Sequence, residues 1–295
     1  MSTTPVGYLY TPQQLMGSVR YGSGVLLGNW REDTAVDEMR LMDYVLKRET
    51  GELTLLKQRA KFGPQLAPAE LSKRASDGTM CNGDVVMFKS CCNGGALAAS
   101  VGQAFDAHGD HEAPHEYAVF AADSSKAVAR NAIKIVCFDD SVPEGAPLCY
   151  GQKVILCFSE ALPIQGLLAS SPASRYGLST QVINKQDVYM HAVRENEKIS
   201  FDCVWALQPL AGTHGAFPGT PIVADQPFSL LHCSTNRRLA GVQLPLPSEF
   251  GMEFAVCCHT LTEKGRIDKL IRERNGKNLP PRAETSENSW IAVYG

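Results

Sequence analysis

Three copies of one strand-and-turn pattern constrain the fold of this chain most strongly. The middle copy, at 150–158, reads Y-G-Q-K-V-I-L-C-F, a turn glycine followed by a polar residue and an apolar run. The first copy lies at 83–88, and the third, at 225–230, lacks the glycine. A glycine that opens such a run predicts a strand leaving a tight turn. Each copy is therefore expected to begin one structural unit.

Further strand-like segments follow each copy in the same order. A polar turn leads to an apolar residue, which is Leu97, Leu167 or Leu239. The later segments of the units are 117–120 and 132–136, 189–193 and 203–207, and 254–257 and 289–293. Three such units can close a small barrel with few free edges, whereas one unit cannot bury its apolar face alone. The pattern predicts a mainly β chain folded as a β-trefoil.

The spacing of the copies predicts long loops. It is 151 − 83 = 68 and 225 − 151 = 74 residues, above the roughly 40–50 that four short strands with tight turns require. We expect repeats at about 81–140, 149–212 and 223–295 within a domain at 76–295. Residues 1–75 are expected to form an N-terminal arm, a docking strip and one helix.

Charge and hydropathy limit the partners and the compartment. With 28 basic and 31 acidic residues the net charge is −3 and the pI about 6.2, so neither nucleic acid nor an anionic membrane is an expected partner. No stretch of about 18 apolar residues is present, and residues 1–22 lack the basic start and apolar core of a signal peptide. An intracellular protein is expected.

Cysteine and histidine spacing argues against metal and catalytic sites. The ten cysteines form no C-x-x-C motif, so they are expected to be reduced and mostly buried thiols. The loop at 105–116 holds His108, His111 and His115, and two interpretations stay open, a solvated acidic loop and a metal site. Cys203 and His232 can be drawn as a nucleophilic pair, but no family signature surrounds them. We predict no enzyme activity and no cofactor, with His232 as a hydrogen-bonding group in a turn.

The N-terminal region carries a glycine-rich strip and a helix. The strip at 21–33 includes Tyr21, Trp30 and Arg31 and is predicted to contact a partner. Thr34 is the expected N-cap of a helix that ends at Gly51. Its apolar residues share one face, and that face fits a partner or the protein's own trefoil equally well. They are Val36, Met39, Met42, Val45 and Leu46. Residues 57–74 are predicted to be a linker.

A basic insertion lies near the C-terminus. Residues 262–279 hold six cations against three acidic residues, and they are consistent with a short amphipathic helix. One interpretation is a solvated face held to the trefoil by its isoleucines. The other is a contact with an acidic partner, in which Arg272 and Arg274 take part.

Several motifs resemble the cilia- and flagella-associated protein 161 family. They are Y-G-x-G-V-x-x-G-N-W-x-E-D at 21–33, the helix end at 47–51, the basic segment 55–66, G-D-V-V-M at 83–87, T-N-R-R-L-A at 235–240 and N-S-W at 288–290. The resemblance covers nearly the whole chain from Tyr21. The loop at 105–116 departs from the family pattern. The strand-and-turn pattern is also similar to MIR domains.

The resemblance implies a non-catalytic microtubule inner protein in the lumen of the A-tubule of ciliary doublet microtubules. Its implied partners are tubulin and neighbouring inner proteins. The alternative function is a carbohydrate-binding trefoil of MIR or ricin type, which requires an exposed aromatic platform in its repeats. Trp205 and Trp290 lie in closing strands, where we expect them to fill the core.

Overall fold

The computed structural model of the protein describes residues 30–102, 115–172, 185–194, 198–210, 217–262, 274 and 284–295. The chain forms two compact units, Met1–Gln58 and Arg59–Gly295. The larger unit begins upstream of the boundary predicted at residue 76. Within the described residues, no helix combines the length and the apolar character that spanning a membrane requires.

Helix α1, Trp30–Glu49, is the main described element of the first unit. It starts before Thr34, so the prediction that Thr34 is the N-cap is wrong. Glu32 and Asp33 lie in the first turn, where negative side chains are stabilised by the positive end of the helix dipole. No glycine or proline precedes Thr34 in this helix, so nothing stops it from extending towards the N-terminus.

α1 ends at Glu49, and Gly51 terminates it as the capping glycine, as predicted. Gly51 has a φ of 74°, a conformation that glycine adopts at little cost. The N–H of Glu52 donates to the carbonyl oxygen of Lys47 at 2.7 Å, which is the long bond of a Schellman motif. The Nζ of Lys47 also donates to Oδ2 of Asp43 at 2.7 Å, which forms an ion pair across one helical turn.

A second helix, α2, spans Thr54–Phe62, and the prediction of a linker over 57–74 is therefore wrong. After α2 the chain packs along the larger unit. Gln65 is fully buried, and its Oε1 accepts a hydrogen bond from the N–H of Val101 at 3.0 Å. Prolines and cations suggested a linker, but this buried polar contact holds the segment in place.

The described residues of the larger unit form twelve strands, one for each segment that the sequence predicts. They are β1 (Val85–Ser90), β2 (Ala96–Ser100), β3 (Glu116–Ala122), β4 (Ile133–Cys137), β5 (Lys153–Phe158), β6 (Gly166–Ser171), β7 (Gln186–Ala192), β8 (Val204–Gln208), β9 (Ser229–His232), β10 (Arg237–Ser248), β11 (Gly251–Cys258) and β12 (Trp290–Val293).

Within the larger unit, the first and fourth strands of the three sequence repeats pair in a closed antiparallel ring. β1 pairs with β12 and β4, β4 with β5, β5 with β8, and β8 with β9. A bridge between Phe228, which precedes β9, and Trp290 of β12 completes the ring. The prediction of a mainly β fold is confirmed, and the strands close into a barrel.

The second and third strands of each unit form a hairpin. The hairpins are β2–β3, β6–β7 and β10–β11. Each hairpin also touches the other two, through β3–β7, β3–β11 and β7–β11. These contacts reduce the number of unpaired strand edges.

A cycle of backbone hydrogen bonds joins the starts of the three units. The N–H of Met80 donates to Ile222 at 2.9 Å, that of Ile222 to Leu148 at 2.9 Å, and that of Leu148 to Met80 at 2.7 Å. All three side chains are fully buried. The units therefore meet around a shared apolar centre.

The turn before each first strand has the same backbone conformation in all three units. Gly83 and Gly151 have φ values of 92° and 91°, and Asp225 takes the corresponding place with a φ of 63°. Aspartate tolerates this left-handed conformation better than most residues. The third copy lost its glycine but kept the turn.

Trp205 and Trp290 fill the core, as predicted. Both are fully buried. The Nε1–H of Trp205 donates to the carbonyl oxygen of Leu168 at 2.8 Å, and that of Trp290 donates to Leu239 at 3.1 Å. Each indole thus spans from the last strand of its unit to the hairpin of the same unit.

Candidate functional site

The residues predicted to contact a partner lie on separate segments of the chain. Tyr21 and Arg272 lie outside the described residues. Trp30 and Arg31 are the first two residues of α1. Arg274 has helical backbone and an exposed side chain. A role of these residues in binding stays a prediction.

Helix α1 exposes most of its apolar face. Met39 and Met42 are 62% and 69% exposed, and Leu41 and Leu46 are exposed to a similar extent. Methionine and leucine at this spacing form an adaptable apolar surface. This face is one candidate contact surface of the first unit.

A buried ion pair is the most elaborate polar contact among the described residues of the larger unit. Nη1 and Nη2 of Arg130 each donate to one oxygen of the Glu253 carboxylate at 2.9 Å. The Nε of Arg130 donates to the carbonyl oxygen of Ala99 at 3.0 Å. Arg130 precedes β4 and Glu253 lies on β11, so the pair connects the first sequence repeat to the third. Both side chains are almost fully buried, and a bidentate geometry of this kind fixes orientation as well as charge.

The end of α2 packs beside this ion pair. The ring of Phe250 lies 3.7 Å from the guanidinium carbon of Arg130 and meets the ring of Phe62 edge-on at 5.3 Å between centroids. Nζ of Lys61 lies 3.0 Å from the Glu249 carboxylate. The β10–β11 turn therefore holds the last residues of α2 against the barrel.

The sequence carries no local signal for this arrangement. Arg130 and Glu253 are 123 residues apart, and each stands among residues that are ordinary for a surface turn or an edge strand. Phe62 and Gln65 were hidden in a segment whose prolines and cations suggested a linker. The fold brings Arg130 and Glu253 together, and Phe250 links Arg130 to Phe62.

His232 serves as a hydrogen-bonding group, as predicted. It is fully buried, its Nε2 lies 2.9 Å from the carbonyl oxygen of Asp202, and its Nδ1 lies 2.8 Å from Oγ1 of Thr235. A carbonyl oxygen only accepts, so Nε2 carries the proton and Nδ1 accepts from the threonine. Burial lowers the pKa of His232, although the bond to Asp202 acts in the opposite direction. Both ring nitrogens are occupied, which leaves none to activate Cys203.

The buried thiols of β11 do not resemble nucleophiles. None of the ten cysteines, all of which the structure describes, forms a disulfide, and Cys137, Cys203, Cys257 and Cys258 are buried. Burial raises the pKa of Cys257 to about 11 and that of Cys258 to about 12. A reactive cysteine needs the opposite shift, towards a thiolate at neutral pH.

The histidine-rich loop lies mostly outside the described residues. Of its histidines only His115 is described, and its carbonyl oxygen accepts from the N–H of Ala192 at 2.8 Å. In the part of the chain that the structure covers, no three potential ligands come together in a metal-binding cluster. Both interpretations of the loop at 105–116 stay predictions.

An exposed aromatic pair lies on the barrel surface, and sequence reasoning missed it. The rings of Phe138 and Phe201 meet edge-on with centroids 6.4 Å apart, and both side chains are exposed, as is Ile199. Nζ of Lys153 lies 5.4 Å from the centre of the Phe201 ring. Phe138 directly follows β4, and Phe201 lies just before β8. In the sequence, both residues therefore look like the ends of buried strands.

Comparison with known proteins finds relatives along nearly the whole chain. No protein-family model matches. The chain is similar to cilia- and flagella-associated protein 161 of Bos taurus, with 28% identity over 93% of this chain and 82% of the relative. The proteins of the same name from Danio rerio and Mus musculus are each 26% identical, over 86% and 93% of this chain and 87% and 88% of their own lengths. The motif-based resemblance is thereby confirmed.

Solved structures show a weaker likeness. A Caenorhabditis elegans protein of unknown function aligns with a TM-score of 0.48 and 14% identity, over 75% of this chain and 98% of its own. The SDF2-like protein of Arabidopsis thaliana aligns with a TM-score of 0.46 and 13% identity, over 73% of this chain and 94% of its own.

Proposed function

We propose that the chain is a non-catalytic structural protein of the ciliary and flagellar axoneme. In this proposal it binds as a microtubule inner protein in the lumen of the A-tubule of doublet microtubules and stabilises the axoneme for ciliary motility. The observation that carries the proposal is its similarity over about nine-tenths of its length to three proteins named for cilia and flagella. The same three relatives support localisation to the cilium or flagellum.

We further infer that the barrel is a β-trefoil. Three features of the described residues support this assignment. The first and fourth strands of the units form the barrel, the middle strands form three mutually contacting hairpins, and the unit starts are joined by a cycle of hydrogen bonds. This arrangement closes the sheet without help from another chain.

A structural role agrees with what the described side chains offer. In the Cys203–His232 pair both ring nitrogens of the histidine are already hydrogen-bonded, so the pair has no nitrogen available for general-base work. Sugar binding by the two tryptophans is not favoured either, because both indoles are fully buried and cannot form a platform. These observations support a structural role for the chain.

The proposed partners are tubulin and neighbouring inner proteins of the lumen. Tyr21, Trp30 and Arg31 of the strip, with Arg272 and Arg274 of the basic insertion, are the proposed contacts. A periodic lattice makes individually modest contacts sufficient, because many identical sites raise the effective concentration. No nucleic acid, membrane or cofactor enters the proposal.

The first test is the location of the chain in a ciliated cell. A tagged chain should fractionate with demembranated axonemes, resist detergent, and co-localise with doublet microtubules along the shaft. A glycan array probed with the purified chain should give no binding. Recovery of the chain in the detergent-soluble fraction, together with binding to a defined glycan class, would favour the carbohydrate-binding alternative.

A further inference from the structure

Helix α2 concentrates positive charge on a chain that is acidic overall. Its nine residues include Lys57, Arg59 and Lys61 and no acidic residue, whereas the whole chain has a net charge of −3. Lys61 is used internally, because its Nζ lies 3.0 Å from the carboxylate of Glu249. Among the residues that the structure describes, Lys57 and Arg59 have no carboxylate partner.

One face of α2 is only partly used by the protein itself. Leu55, Arg59 and Phe62 are spaced by four and three residues, so they follow one another along the same face. Phe62 packs on Phe250 at the C-terminal end. Leu55, nearer the N-terminal end, is 78% exposed. Along this face, Leu55 and Arg59 are therefore exposed, whereas Phe62 is packed against the barrel.

We infer that α2 is a docking helix for an acidic protein surface, through Leu55 and Arg59 with Lys57 on the flank. The inference rests on the proposed function, in which the acidic protein is tubulin, and assigns part of that contact to a segment outside the strip and the basic insertion. The charge complementarity comes from Lys57 and Arg59, the two cations of α2 that have no carboxylate partner among the described residues. The packing of Phe62 and Lys61 on the β10–β11 turn reduces the freedom that binding would have to remove.

A membrane is the less favoured partner. Membrane-surface helices need a broad apolar face and several cations, and α2 has one short face in nine residues. The net negative charge of the chain also opposes an anionic lipid surface. Arginine is instead enriched at protein–protein interfaces.

The test compares matched charge reversals in the full chain. The docking variant is Lys57→Glu/Arg59→Glu, and the control is Lys126→Glu/Lys198→Glu, which reverses two exposed cations elsewhere on the surface. Binding of each chain to soluble tubulin heterodimers is measured at low salt and again near 200 mM. Both variants should melt at the wild-type temperature, because the substituted side chains are exposed.

We expect the docking variant to bind about tenfold more weakly than wild type and to lose much of its salt dependence. The control should stay within about twofold of wild type. Arg59→Glu alone should weaken binding more than Lys57→Glu alone, because Arg59 shares the face of Leu55. Leu55→Ser should weaken binding at both salt concentrations, since its contribution is apolar.

Three outcomes would overturn the inference. These are no tubulin binding by the wild-type chain, equal losses in the docking variant and the control, and binding to phosphatidylcholine–phosphatidylserine vesicles in place of tubulin. The proposed function fails separately, if the wild-type chain is absent from isolated axonemes. An axonemal protein whose incorporation and salt resistance are unchanged in the docking variant would refute the α2 contact and leave the proposed function standing.

Discussion

The substitution Glu253→Gln should destabilise the larger unit strongly although it keeps the size of the side chain. The carboxylate of Glu253 accepts two bonds of 2.9 Å from Arg130, and both side chains are almost fully buried. Removing one member of a buried pair leaves the other charge without compensation, which costs about 3–5 kcal/mol. A domain of this size loses roughly 2–4 °C per kcal/mol, so the expected fall in Tm is roughly 6–20 °C.

The assay is thermal unfolding of the full chain followed by circular dichroism, with urea unfolding as a second measure. Glu144→Gln is the matched control, because Glu144 forms an ion pair with Lys134 of the same length, 2.9 Å, at the exposed surface. Such pairs contribute little, and the control should leave Tm unchanged.

The double variant Arg130→Met/Glu253→Met separates the charge from the packing. Its loss of unfolding free energy should be smaller than the summed losses of the single variants Arg130→Met and Glu253→Met, because the double variant leaves no charge buried without a partner. The reasoning would be refuted if Glu253→Gln melted within about 2 °C of wild type or if the single losses simply added.

Three further predictions concern other parts of the chain. Acid should destabilise the protein through His232, because burial lowers the pKa of this histidine in the folded state. Below about pH 6.5 the unfolded chain therefore binds more protons than the folded chain. The free energy of unfolding then falls with pH until the pKa of the folded state is passed. His232→Gln should reduce the difference in urea stability between pH 7 and pH 5.5, and an unchanged difference would contradict this. A fragment of residues 59–295 should give a β-rich circular dichroism spectrum and one cooperative melt, and a fragment of 76–295 should melt lower because it lacks the buried Gln65; equal melting would show that the segment after α2 adds no stability. Trp30→Ala should leave Tm nearly unchanged while abolishing incorporation into doublets, whereas a large fall in Tm would place Trp30 in the protein's own core.

The strands were predictable because each is encoded locally. An apolar run after a turn residue with positive φ appears three times, and even Asp225 keeps the turn conformation of the missing glycine. The burial of Trp205 and Trp290 followed from their place in closing strands. Periodicity and turn chemistry therefore sufficed for the mainly β architecture.

The contacts of α2 were not predictable in the same way. The ion pair of Arg130 and Glu253 depends on strands that meet only after the barrel closes, and Phe62 finds Phe250 by the same route. The start of α1 was misplaced for a related reason: Thr34 is a good N-cap by type, but the acidic residues before it stabilise an earlier turn. A cap is a local preference that the surrounding charges can override.

In-situ reconstruction of ciliary doublets tests the central claim most directly. Doublets from cells that carry the chain are compared with doublets from cells that lack it, at a resolution that resolves a barrel of this size. The account predicts a periodic density in the A-tubule lumen that fits the barrel and disappears when the chain is absent. Identical lumens in the two sets, or a lost density on the outer surface, would contradict it.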